Sequence, residues 1–97
     1  MSESQNNTAG GSPRERVIAL VERILERSPG SPPLSTTARL NELGMSSMKM
    51  ISLMLAIEVE FDLAIPQADI TPANFDSIAS VEGTVTRLLA SASGNDS

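Results

Sequence analysis

Two adjacent hydroxyls, Ser46 and Ser47, follow the turn Leu43-Gly44-Met45 and open the methionine-rich apolar run Met48-Lys49-Met50-Ile51. A serine exposed at a helix start is a place where a group can be attached. The first backbone N–H groups of a helix and its dipole favour a negatively charged one, such as a phosphodiester. The same position equally suits a plain helix cap. The rest of the chain offers little chemistry of its own, with no cysteine, histidine, tyrosine or tryptophan and Lys49 as its sole lysine. A thiol nucleophile, the commonest acid/base group and the commonest metal ligand are all missing. No evident base stands ready to activate a hydroxyl, so a hydrolase built on Ser46 or Ser47 ranks last among the functions considered, and the chain is expected not to be an enzyme.

Composition narrows the partners. The chain has 97 residues, a net charge of −5 and 40% apolar content, enough for one small aliphatic core. Phe61 and Phe75 are its only aromatics, so stacking platforms for bases are absent and the charge opposes a phosphate backbone. Nucleic acid is not an expected partner. The longest apolar runs, Val17 to Val21 and Leu53 to Ile57, are five residues each, against roughly 20 for a membrane span. The polar stretch from Met1 to Gly11 does not read as a secretory signal, and the cytoplasm is the expected compartment.

The elements that must position the serines can be read from capping and periodicity. Residues 1–11 and 91–97 are rich in Ser, Asn and Gly and are expected to be disordered tails around a single folded domain at 12–90. Ser12, Pro13 and Glu15 form a capping box with proline at the first helical position. A first helix follows, with Val17, Val21, Ile24 and Leu25 as its buried stripe, Leu20 beside it and a solvated face of charges. Three prolines and a glycine between Ser28 and Pro33 end it. A long loop then runs to about Gly44, pinned to the core by Leu34, Leu40 and Leu43.

A second helix is predicted from about Ser47 to Phe61. Met48, Ile51, Met54 or Leu55, Ile57 or Glu58, and Phe61 supply helical spacing, and Met50, Leu53 and Ile57 form a second strip. A helix so apolar around its circumference is either central in the bundle or partly exposed for binding. Asp62 to Ile70 reads as loop, with Ile65 extended before Pro66. Thr71-Pro72 starts a short helix reaching about Phe75, and Ser80 caps a last helix carrying Val81, Val85, Leu88 and Leu89. Gly83 within it costs about 1 kcal/mol against alanine. The expected fold is all-α, a small bundle of three main helices plus one short helix.

Leu43-Gly44-x-x-Ser47-Met48, followed by Ile51, Leu53, Ile57, Glu58, Glu60-Phe61-Asp62, Ile65-Pro66 and Phe75-x-Ser77-Ile78, closely resembles the acyl carrier protein family. In that family the pattern reads Leu-Gly-x-Asp-Ser-Leu, a helix ending Leu-Glu-x-x-Phe, then Ile-Pro and a late Phe-x-Ser. The resemblance covers about residues 14 to 89, with most of its specificity between Leu43 and Pro66. It implies that Ser47 receives 4′-phosphopantetheine from coenzyme A through a separate phosphopantetheinyl transferase, with Gly44 and Ser46 shaping the site. It also implies that a ligase and downstream enzymes use the arm's thioester to pass an acyl or aminoacyl group. A small helical interaction module without a prosthetic group is the competing reading.

The pattern is not matched throughout. Ser46 stands where the family usually has aspartate, keeping the cap and losing the charge. Lys49, Ser52 and Val59 occupy positions often acidic in fatty-acid carriers, which implies a specialised lipid, polyketide or aminoacyl pathway. Between Glu42 and Glu82 there are still seven acids against Lys49 alone, able to steer basic partners. Expected partner or acyl contacts are Met45, Met48, Lys49, Met50, Leu55, Glu58 and Ile65. Of the methionines, Met48 and Met54 sit on the expected core spacing, while Met45 and Met50 are the expected exposed contacts. Lys49 is a candidate partner for the prosthetic phosphate, and a monomer is the expected state.

Overall fold

The computed structural model describes residues 11–94. The first helix, α1, spans Pro13–Ile24 and begins as the capping box dictates. Ser12 Oγ accepts from the Glu15 N–H at 3.2 Å, and Glu15 Oε1 accepts from the Ser12 N–H at 3.1 Å. Val17, Leu20 and Val21 are its buried residues, with Ile24 and Leu25 partly covered. The second helix, α2, covers Ser47–Phe61, and the third, α3, covers Ile78–Gly94. α1 packs against both α2 and α3, so one aliphatic core is shared among the three. No strand occurs among the described residues, and no helix is long and apolar enough to cross a membrane.

The long loop is held as its leucines predict. Leu34 and Leu40 are buried, Leu43 is half-buried, and Leu40–Leu43 closes into a 3-10 turn that leads into Gly44. Two backbone hydrogen bonds tie the loop to the start of α3: the Leu40 N–H donates to the Asp76 carbonyl at 2.8 Å and the Ala79 N–H to that of Thr36 at 2.9 Å. The approach to the serines is thereby fixed from both sides.

Three local expectations need correction. The segment from Thr71 to Phe75 is one hydrogen-bonded turn rather than a short helix. Thr71 Oγ1 accepts from the Asn74 N–H at 3.2 Å as a cap would, but the chain then turns at Asp76, whose carbonyl is committed to Leu40. A 3-10 turn at Gln67–Asp69 precedes it. The last helix starts at Ile78, and Ser77 rather than Ser80 supplies the capping oxygen, accepting from the Ser80 N–H at 3.1 Å. α3 also continues to Gly94, beyond the expected boundary at residue 90, because Ala90 and the residues after it contain no breaker before the glycine. Of the expected tails, residues 1–10 and 95–97 lie outside the described residues.

Gly83 is exposed inside α3, and a Cβ built on it meets no atom within 4 Å. Gly83→Ala should therefore stabilise the domain by about 0.5–1 kcal/mol through helix propensity and a stiffer unfolded chain. Thermal unfolding should show a midpoint raised by several degrees.

Candidate functional site

The site is built by a change of chain direction. Gly44 adopts φ 102°, a left-handed conformation that glycine takes without a Cβ clash. Its N–H donates to the Asn41 carbonyl at 3.2 Å, and the next N–H, of Met45, donates to the Leu40 carbonyl at 3.0 Å. The tight closure turns Met45 inward, where it is 4% exposed and part of the core. Ser46 is then extended (φ −76°, ψ 171°) and caps α2, its Oγ accepting from the Lys49 N–H at 3.2 Å. Ser47, the first helical residue, is exposed, and its hydroxyl makes no hydrogen bond to any described residue. The paired serines thus divide their work: Ser46 holds the helix start and Ser47 presents a free hydroxyl beside it.

With the Lys49 N–H taken by the cap, the Ser47 and Met48 N–H groups remain at the positive end of the α2 dipole. A phosphodiester on Ser47 fits this environment. No carboxylate lies in the first turn of α2, so nothing repels it there. When bound, phosphopantetheine supplies the thiol that holds cargo as a thioester, a function this cysteine-free chain cannot provide with its own side chains. Among the described residues no group of acidic, histidine or cysteine side chains could hold a metal ion.

The contact residues expected from sequence divide differently from the expectation. On α2 the buried side chains are Leu53, Ile57 and Phe61, with Met50 and Met54 partly covered. Met48, Ile51, Leu55 and Val59 are instead 75%, 52%, 58% and 83% exposed. Met48 and Ile51 therefore leave the core stripe to which their spacing assigned them, and Met45, expected outside, is inside. The reason is that α2 carries two apolar stripes on opposite sides, and periodicity alone does not say which one faces α1. Ile51 and Val59, absent from the expected contact set, join Met48 and Leu55 on the open face. Ile65 is buried and offers no surface. Lys49 is half-buried and in no ion pair with a described residue.

Glu58 also has a different task. Its Oε2 accepts from the Ile65 N–H at 2.8 Å, clasping the Ile65-Pro66 segment to the last turns of α2. Glu58→Ala would leave that N–H, beside a buried side chain, without its acceptor and should cost about 1–3 kcal/mol. Glu58→Gln, which keeps an acceptor oxygen, should cost less than half as much in a urea titration. Nor are the charges of α1 merely solvated. Arg16 bonds the Glu60 carboxylate at 2.8 Å and the Glu60 carbonyl at 2.7 Å, and its guanidinium lies 4.4 Å from the centre of the Phe61 ring. Arg14 pairs with Glu82 at 3.0 Å across to α3. Such partners, 44 and 68 residues apart, leave no local trace in sequence.

Comparison with known proteins agrees with this geometry. The family profile described as the phosphopantetheine attachment site matches residues 15–86. The chain is 43% identical over 76 residues to aminoacyl carrier protein 1 of Bradyrhizobium diazoefficiens, covering 78% of this chain and 84% of the relative. It is 41% identical over 81 residues to aminoacyl carrier protein 2 of the same organism, covering 84% and 91%. A chain in the crystal structure of Bradyrhizobium japonicum glycine:carrier protein ligase complexed with glycylated carrier protein matches with TM-score 0.61 and 44% identity, over 73% of this chain and 96% of that one. In the complex of that ligase with its cognate carrier protein and an analogue of glycyl adenylate, the match has TM-score 0.64 and 43% identity, over 76% and 96%. Given the attachment-site match and these relatives, the chain belongs to the acyl carrier protein family, whose members carry cargo on phosphopantetheine rather than catalyse its chemistry.

Proposed function

We propose that this chain is an aminoacyl carrier in which Ser47 bears the phosphopantetheine arm and an amino-acid-activating ligase charges its thiol. The observation that carries the attachment point is the free, exposed Ser47 hydroxyl at the first position of α2, in register with the family motif and separate from the capping Ser46. The aminoacyl cargo is supported by relatives named aminoacyl carrier proteins and by the resemblance to a chain in a ligase complex with glycylated carrier protein. In this reading a transferase first converts the apo chain, the ligase then loads it, and a third enzyme withdraws the amino acid. The carrier acts as a monomer in the cytoplasm, where coenzyme A supplies the arm.

The chain's own residues contribute position and electrostatics. Gly44 and the Met45 plug hold the turn, Ser46 keeps the first turn of α2 wound, and the helix N-terminus favours the phosphodiester charge. Lys49, close in sequence to the serine and in no ion pair with a described residue, adds positive charge to that end of α2.

Incubation of apo and holo chain with the glycine ligase, ATP and radiolabelled glycine tests the cargo. Label should appear on the holo chain alone and be discharged by neutral hydroxylamine, as a thioester is. Label on the apo chain, or label resistant to hydroxylamine, would contradict the proposal.

A further inference from the structure

α1 and α2 both begin with a serine cap, but only α1 completes it. There the third helical residue is Glu15, whose carboxylate reaches back to the Ser12 N–H at 3.1 Å and closes the capping box. In α2 the same slot holds Lys49, whose ammonium donates and cannot accept that bond. Ser46 Oγ makes its own half of the box by accepting from the Lys49 N–H at 3.2 Å, while the Ser46 N–H finds no acceptor among the described residues. Together with the N–H groups of Ser47 and Met48, it leaves three successive donors open at the start of α2.

The charge runs the same way. The N-terminus of a helix is the positive end of its dipole, where a carboxylate is favourable and a lysine is not. α1 has Glu15 in its first turn, and α2 has no acid there. Glu42, the nearest carboxylate to Ser47 in sequence, lies ahead of the Gly44 turn and pairs with no cation among the described residues. Lys49 is half-buried, so its charge is kept close to the domain. A helix start that breaks two local rules, in a chain whose other serine cap obeys both, is a place where an anion from outside the chain's own side chains completes the structure.

Resting on the reading of Ser47 as the attachment point, we propose that the start of α2 is electrostatically incomplete in the apo chain and is completed by the phosphodiester of the arm, with Lys49 as the positioning residue that couples attachment to the stability of the fold. Ser47 and Lys49 are two apart and share no helix face, so the coupling runs across the open end of the helix, the route by which Glu15 reaches Ser12. Attachment then tightens the first turn of α2 and steadies the root of the arm. A helix start already satisfied by an acid would gain nothing from it.

The test compares the apo and holo forms of the full chain, with the attachment site read by fragmentation mass spectrometry. The thermal midpoint of the holo form should exceed that of the apo form by about 2–6 °C at about 50 mM NaCl, and this gap should fall by about half or more at about 1 M NaCl. Lys49→Glu, which restores the capping box, should raise the apo midpoint by about 2 °C or more and abolish or reverse the gap, since the new carboxylate opposes the phosphodiester. Lys49→Arg should keep the gap and Lys49→Met should narrow it, whereas a purely structural lysine would shift apo and holo forms alike. An equal gap in wild type and Lys49→Glu, or a wild-type apo form as stable as the holo form, would overturn the proposal. If a variant resists modification, the wild-type gap and its salt dependence decide the matter alone. An absent gap with the arm on Ser47 sinks this inference and spares the attachment assignment, while an arm found on another residue sinks both.

Discussion

Ser47→Ala abolishes addition of the prosthetic arm when the chain is coexpressed with a broad-specificity phosphopantetheinyl transferase, whereas Ser46→Ala reduces stability and leaves attachment in place. The first effect should be complete, because the new bond is made to the serine oxygen and alanine has none. Ser47 is exposed and makes no hydrogen bond to a described residue, so its truncation should barely affect folding. Ser46 is the reverse case. Its Oγ accepts from the Lys49 N–H, and loss of an N-cap of this kind costs about 1 kcal/mol. Intact mass and a urea titration of both variants separate the two roles. Undiminished addition on Ser47→Ala, or loss of addition only on Ser46→Ala, would exchange the assignments.

Leu53→Ala destabilises the domain by about 3–4 kcal/mol and Leu55→Ala by less than about 0.5 kcal/mol, although the two residues lie two apart on one helix and lose the same atoms. Leu53 is fully buried and Leu55 is 58% exposed. The helix-propensity change is identical, so the difference isolates the transfer and cavity terms. For a domain of this size, with a total stability near the lower end of about 5–15 kcal/mol, Leu53→Ala removes a large part of it. Urea unfolding of both variants, with the slopes compared as well as the midpoints, measures the contrast. Similar losses at the two positions would mean that the face of α2 turned toward α1 is wrongly identified.

The contrast at Leu53 and Leu55 also marks where sequence reading stops. The ends of α2 were legible because their causes are local: Gly44 and Ser46 signal the start, and the apolar run closes at Phe61 before Asp62, which takes the left-handed cap at φ 53°. The start of α1 was legible from Ser12, Pro13 and Glu15 for the same reason. Choosing between two apolar stripes is not local. It depends on where α1 lies, and residues 17–21 of α1 give no indication of which side of α2 they meet. Spacing therefore put Met48 and Ile51 inside, the opposite of what is found, while Met45, expected outside, lies ahead of the helix and is turned inward by the closure at Gly44.

The same limit accounts for Glu58 and Arg16. Each looked like a surface charge, but Glu58 completes a hydrogen bond to Ile65 seven residues on, and Arg16 reaches the last turn of α2. Side-chain partners set by tertiary approach override the expectation that charges on an amphipathic face are solvated. The cap exchange between Ser77 and Ser80 is smaller in kind: two serines three residues apart both satisfy the capping preference, and the Asp76 carbonyl bond to Leu40 favours the earlier start. The turn and cap that open α2 were the most legible part of the chain, since Gly44 and Ser46 act through backbone geometry within a few residues.

Fragmentation mass spectrometry of the wild-type chain, converted to the holo form and charged with amino acid, tests the central claim most directly. The account predicts a peptide in which Ser47 alone carries the arm with the amino acid on its terminal thiol, and a return to the uncharged arm after neutral hydroxylamine. An unmodified Ser47, or the arm found on Ser46, would contradict it.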